Sequence, residues 1–416
     1  MDLFERLESN VRSYCRSYPT VFDKASNARQ WDVDGREFID MFAGAGVLNY
    51  GHNNERLRKA MIEYMQADGV AHSLDMHSRS KREFMLRFED IILKPRKLSY
   101  KLQFTGPTGT NVVEAALKLA RKVTGRRSVV AFTDGFHGMT LGSLACTGNS
   151  HYRHAAGVPL NDVVRVPFDG YLGKGVSTLE PLRRLLEDQS SGLEPPAAFL
   201  VETVQAEGGV NVASKEWLQS LQELARSYDS FFIIDDIQVG NGRTGNFFSW
   251  ETLDLDPDLV CLAKGIGGFG TPMGLLLVRP TLDQWGPGEH TGTFRGQNLS
   301  FVAGGEALEY YRDDKLMKAV HSRGEYMRER LESMVAEYGK GRFETRGRGM
   351  IRGLDTGSGE TAAAIIKAAF AEGVILATCG PSGRVVKMTP PLTIEDDTLE
   401  KGLDLAEKAV ARGVSA

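Results

Sequence analysis

Short apolar runs punctuate the middle of the chain. Residues 128–132 and 197–202, then Phe231–Asp235, Leu259–Leu262 and Leu275–Val278, are rich in Val, Ile, Leu and Phe. They are too short for helices and too continuously apolar for half-exposed strands, so they predict strands buried on both faces. Between them, 112–123 and 217–228 repeat apolar positions with helical period. Buried strands alternating with helices predict an α/β core around a mostly parallel sheet.

From about residue 300 the pattern changes. A long helical period over 299–338 precedes 346–354, a helix over 362–372, short strands over 374–376 and Val385–Met388, and a closing helix. The expected organisation is a large domain over 56–298 and a smaller α+β domain over 299–416, with 1–55 completing the smaller one. No internal repeat or low-complexity segment interrupts the chain.

Composition narrows the possible partners. Of 416 residues, 42% are apolar and 25% charged, an ordinary globular balance. Fifty basic against fifty-four acidic side chains give a net charge of −4, which argues against a polyanion-binding surface and hence against nucleic acid. The cysteines Cys15, Cys146, Cys261 and Cys379 are scattered, without metal-ligand spacing, as suits a reducing compartment. No apolar run has the length of a membrane span, and the first residues lack a basic region followed by an apolar one. The expectation is a soluble cytoplasmic protein with no metal and no membrane partner.

Three segments carry candidate chemistry. Thr108-Gly109-Thr110 opens the helical period at 112–123, where free backbone N–H groups could receive an anion. The strand Phe231–Asp235 runs straight into carboxylates, and ligands of open α/β sheets sit at such strand ends. The strand Leu259–Leu262 leads through Ala263 into Lys264 and a glycine-rich turn. A desolvated lysine there becomes a nucleophilic amine. Alone, the first two segments fit a bland alternative better, a helix cap and a loop acid, and the third fits a lysine reaching solvent equally well. The run Gly240-Asn241-Gly242-Arg243-Thr244-Gly245 is too generic to define a phosphate loop.

Their order and the 29-residue interval from Asp235 to Lys264 change the picture. With Trp31-Asp32-Val33-Asp34-Gly35-Arg36, Tyr50-Gly51-His52, Phe136-His137-Gly138, Glu202-Thr203-Val204-Gln205-Ala206-Glu207-Gly208-Gly209, Gly292-Thr293-Phe294 and Pro390-Pro391-Leu392, the chain resembles the class III (ω-) aminotransferases along almost its whole length. The resemblance implies the aspartate-aminotransferase-like fold type I and a pyridoxal 5'-phosphate (PLP) cofactor. It implies that Lys264 holds the cofactor covalently and moves the substrate proton, and that Asp235 faces the pyridine nitrogen. Gln238 would face the phenolic oxygen, and Phe136, next to His137, would stack on the ring. Thr108, Gly109 and Thr110 would take the phosphate, and Glu202 would join the cofactor-binding set. Thr293 would reach the phosphate of a neighbouring subunit, which makes a homodimer with shared sites the expected assembly.

For substrates, the resemblance implies L-glutamate as amino donor and an aldehyde acceptor, with Glu207 masking a cation that holds the distal carboxylate. That cation is usually an arginine before Pro-Pro-Leu; here it is Lys387, a point charge rather than a bidentate fork. Arg384 is the next candidate. Lys387, Asp235-Asp236-Ile237-Gln238 and Thr293-Phe294-Arg295-Gly296 resemble one subgroup, which serves ectoine biosynthesis. Its members convert L-aspartate 4-semialdehyde to L-2,4-diaminobutyrate. Ala206, Asn241, Ala263, Gly265 and Ala377 depart from that subgroup's pattern. A different ω-amino substrate in secondary metabolism is therefore the second expectation, and an aminomutase or epimerase on the same fold the third.

Overall fold

A computed structural model describes residues 2–415. Its largest sheet has seven strands: Lys101–Phe104 (β1), Val129–Phe132 (β2), Val163–Val166 (β3), Ala198–Val201 (β4), Phe231–Asp235 (β5), Leu259–Leu262 (β6) and Leu275–Val278 (β7). They lie in the order β1-β7-β6-β5-β4-β2-β3. The pairs β6–β5, β5–β4, β4–β2 and β2–β3 are parallel. Only β7 runs against its neighbours β6 and β1. The central strands β2, β4, β5 and β6 are buried at every position, which is why their sequences are continuously apolar rather than alternating.

Helix Gly109–Thr124 (α1) follows β1 and packs an Ala- and Val-rich face on the sheet, and helix Lys215–Ser227 (α2) follows β4. Ser214 caps α2 by accepting from the Trp217 amide at 3.3 Å. The α1 N-cap, Thr108, makes no such bond, so the first-turn amides of α1 have no side-chain acceptor from the cap.

One element differs from the expectation. The helical period over 299–338 is split into helix Asn298–Leu308, a 3₁₀ turn Glu309–Tyr311 and helix Lys315–Tyr338. The Tyr311 hydroxyl donates to Asn241 O at 2.7 Å, anchoring the turn, and Asp313 accepts from the Lys315 amide at 3.1 Å, restarting the helix. The stretch over 346–354 belongs to a hairpin of Glu344–Arg348 and Ile351–Asp355. It turns at Gly349 (φ +59°), where a Cβ would sit 2.7 Å from Arg243 O.

The N-terminal strands Phe22–Ser26, Arg29–Asp32 and Glu37–Asp40 form a sheet completed by Val374–Ile375, parallel to Glu37–Asp40. A further sheet orders Glu344–Arg348, Ile351–Asp355, Val385–Met388 and Ala377–Cys379, all antiparallel. The fully buried Arg243 guanidinium joins distant segments, donating to Met350 O, Pro390 O and Asn49 Oδ1. Burial pulls its pKa down to about 9, against the opposing influence of Tyr311, Tyr50 and Asp40. Among the described residues no helix is long and apolar enough to cross a membrane.

Candidate active site

Asp235 ends β5 and Lys264 opens the turn after β6, so the parallel pairing of these strands sets both residues at carboxyl ends of the sheet. Asp235 is buried. Its Oδ2 lies 2.7 Å from His137 Nδ1, and its Oδ1 accepts from the Ile237 amide at 3.2 Å. His137 is held in turn, its amide donating to Thr147 Oγ1 at 3.0 Å.

Lys264 adopts a left-handed backbone (φ +52°), a costly conformation for a long side chain. The turn after it is tight, since a Cβ on the following Gly265 would meet Asn49 at 2.6 Å. Among the described residues the Lys264 ammonium has no hydrogen-bond partner. Burial lowers its pKa to about 8, with Glu207 and Asp235 opposing the shift and Lys387 adding to it.

Glu202, just after β4, braces two walls of the site. Its Oε1 accepts from the Phe136 amide at 3.0 Å, and its Oε2 from the Ala206 amide at 3.3 Å. Burial pushes this carboxyl up to about 7, against the pull of His137 and with a push from Asp235. Phe136 meets Tyr152 edge-on at 5.8 Å. Gln238 donates to Ala45 O at 2.7 Å, while its buried Oε1 has no partner among the described residues.

At the start of α1, Thr108 Oγ1 accepts from Asn111 Nδ2 at 2.9 Å, and Thr110 Oγ1 lies 2.6 Å from Thr140 Oγ1. Gly109 passes so close to Ile237 that a Cβ would sit 3.1 Å from its Cδ1. Thr293 stands apart, exposed on a turn.

Glu207 and Lys387 form a direct ion pair. Burial opposes the Lys387 ammonium, yet Glu207 holds its pKa above the ordinary lysine value. Glu207 is held low despite burial, by Lys387 first and Lys264 second. The pair opens on a cleft of about 1190 Å³ whose walls include Tyr14, Tyr152, Glu207, Thr378 and Cys379. Arg384 does not join it. Its guanidinium pairs with Asp355 at 2.9 Å and borders a separate cleft of about 610 Å³.

Tyr152 went unnoticed in the sequence because no local pattern marks it.

These groups fit PLP. The site offers an unpartnered amine for covalent attachment, a buried carboxylate for a ring nitrogen, an amide side chain with an orphaned oxygen, and an uncapped helix start for a phosphate. Fold and site together define a PLP enzyme of fold type I. The chain belongs to aminotransferase class III, whose pattern matches residues 12–410. It is 51% identical over 410 residues to the diaminobutyrate–2-oxoglutarate transaminase of Halalkalibacterium halodurans, covering 99% of this chain and 96% of that one. It is 53% identical over 413 residues to the uncharacterized aminotransferase y4qG of Sinorhizobium fredii, covering 99% and 92%. The ornithine aminotransferase of Toxoplasma gondii shares its fold, with a TM-score of 0.85 at 24% identity, covering 99% of this chain and 94% of that one.

Proposed function

We propose that this aminotransferase moves an amino group from L-glutamate to the terminal aldehyde of L-aspartate 4-semialdehyde, giving L-2,4-diaminobutyrate and 2-oxoglutarate. The observation that carries this reading is the near-full-length identity of about half to several relatives named for that reaction, from H. halodurans to Sporosarcina pasteurii. The diaminobutyrate formed would feed ectoine biosynthesis.

When bound, PLP supplies an electron sink that makes the substrate Cα–H acidic. The chain does the rest. Lys264 would attach the cofactor and then carry the proton to and from the substrate carbon. Asp235, oriented by His137, would set its carboxylate at the ring nitrogen. Phe136 would cover the ring, Gln238 would face the phenolic oxygen, and the Gly109 and Thr110 amides with the Thr108 turn would receive the phosphate. Glu202 fixes the Phe136 and Ala206 backbones. Lys387 takes the distal carboxylate of glutamate once Glu207 swings away; Arg384, tied to Asp355, is the weaker candidate.

The working unit in this reading is a cytoplasmic homodimer. Thr293 is exposed rather than turned into its own site, and Leu74, Met76 and Phe294, exposed near it, supply apolar surface for a second copy. Free cysteines without disulfides suit the cytoplasm. The division into 56–298 and a smaller domain of 1–55 with 299–416 draws support from the pairing of Glu37–Asp40 with Val374–Ile375.

Incubation of the holoenzyme with L-glutamate alone should change the cofactor absorbance and release one 2-oxoglutarate per site. Adding L-aspartate 4-semialdehyde should then restore the spectrum and yield diaminobutyrate. No release of 2-oxoglutarate, or a clear preference for another semialdehyde in a panel, would sink the proposal.

The lysine also predicts a pH dependence. Its amine is neutral only above its pKa, so capture of PLP by cofactor-free enzyme should quicken as pH rises and level off above about 8. An ordinary lysine would keep gaining towards about 10.4. A stopped-flow pH series in which the rate still climbs steeply at pH 10 would refute a desolvated Lys264.

A further inference from the structure

The cleft presents Glu207 and hides Lys387. The Glu207 side chain keeps 22% of its exposure and lines the cleft, whereas that of Lys387 keeps 1%. A substrate therefore meets a carboxylate whose counter-charge is buried behind it. Such a surface attracts an ammonium group, and a ligand carboxylate could replace Glu207 only by breaking a buried ion pair.

Two tyrosines share the cleft with it. Tyr14, still 54% exposed, touches Phe42 at 5.4 Å, and Tyr152 meets Phe136 edge-on at 5.8 Å. Among the described residues neither hydroxyl has a hydrogen-bond partner. Burial raises both phenols, and Glu207 is the charge that adds most to the rise. The two hydroxyls are thus proton donors beside the same carboxylate. Phe136 lines the same cleft and its neighbour His137 lies 2.7 Å from Asp235, so the cluster adjoins the residues at the strand ends where Lys264 stands.

We infer that Glu207, Tyr14 and Tyr152 form a site for the zwitterionic α-amino-acid head of the ω-substrate. Glu207 accepts from the α-ammonium, the tyrosine hydroxyls donate to the α-carboxylate, and Lys387 stays in place as the buried counter-charge. This rests on the reading that the terminal group of the substrate reacts at Lys264. It makes Glu207 a specificity residue that separates α,ω-diamino acids from simple ω-amino acids.

L-2,4-diaminobutyrate and 4-aminobutyrate differ only in the α-ammonium, which makes them the natural pair. The holoenzyme should react with the first at a kcat/KM between about 10- and 100-fold higher, the range for one charge-assisted hydrogen bond. Glu207→Gln should bring the ratio to within a few-fold by slowing diaminobutyrate alone. If that variant folds poorly with Lys387 left unpaired, Glu207→Gln combined with Lys387→Gln removes both charges and should show the same collapse. Tyr152→Phe should slow both compounds alike, since both carry the carboxylate. Equal rates in the wild type, or a ratio that the Glu207 variants leave unchanged, overturns the assignment. If glutamate reacts but neither compound does, the acceptor named above is wrong. Calorimetry on the holoenzyme with L-2-aminobutyrate and butyrate then decides the head-group site separately: preference for the former supports it, equal binding overturns it.

Discussion

Lys264→Ala is expected to lower transamination by on the order of 10⁴, the upper range for loss of a positioned acid–base group. Among the described residues the lysine ammonium has no partner, its pKa is drawn down to about 8, and its left-handed backbone aims it from the end of β6. No nearby group can take over. Lys387 is committed to Glu207, and Arg243 to three backbone and side-chain acceptors. The stability effect should run the other way. Below about pH 8 the wild-type lysine is protonated in a site that disfavours its charge, so cofactor-free Lys264→Ala should have a Tm at pH 7 no lower than the wild type. Covalent cofactor attachment, read as the visible absorbance of the denaturant-free enzyme, should disappear while phosphate contacts still retain PLP. Turnover within about tenfold of wild type would remove Lys264 from the reaction.

Asp235→Asn is the second large effect. The substitution keeps size and shape and leaves His137 a neighbouring oxygen, so the fold around β5 should persist. What disappears is the buried carboxylate proposed to face the ring nitrogen. Loss of one preorganised electrostatic partner lowers kcat by on the order of 10²–10³. The loss should fall on kcat, with the glutamate KM changed far less, because the site proposed for the distal carboxylate is Lys387, not Asp235. Steady-state kinetics with glutamate would show it. A variant with near-normal kcat and a raised KM would place Asp235 in substrate binding instead.

Both predictions rest on residues that stood out in the sequence, and for a physical reason. Strands buried on both faces must be continuously apolar, so Phe231–Asp235 and Leu259–Leu262 announce their own ends, and a charged residue just beyond is conspicuous. The mostly parallel α/β core was legible for the same reason. The helix over 299–338 was not read correctly, because its break depends on Tyr311 reaching Asn241, a contact that local periodicity does not encode. Nor did local pattern foretell that β7 runs antiparallel, since a buried strand has the same composition in either direction.

The sequence by itself determined the class of chemistry: Asp235 and Lys264 lie at strand ends, and the ordered motifs around them name the family. Tertiary structure alone decided how the substrate end is arranged. Glu207 and Lys387 are 180 residues apart, and only the fold brings them into one ion pair with the carboxylate outward and the ammonium hidden. Tyr152 enters the same cleft with no local mark, and Arg384, three residues from Lys387, is drawn off by Asp355. Charges that meet across a fold follow from the packing of distant loops, and neither periodicity nor spacing along the chain records that packing.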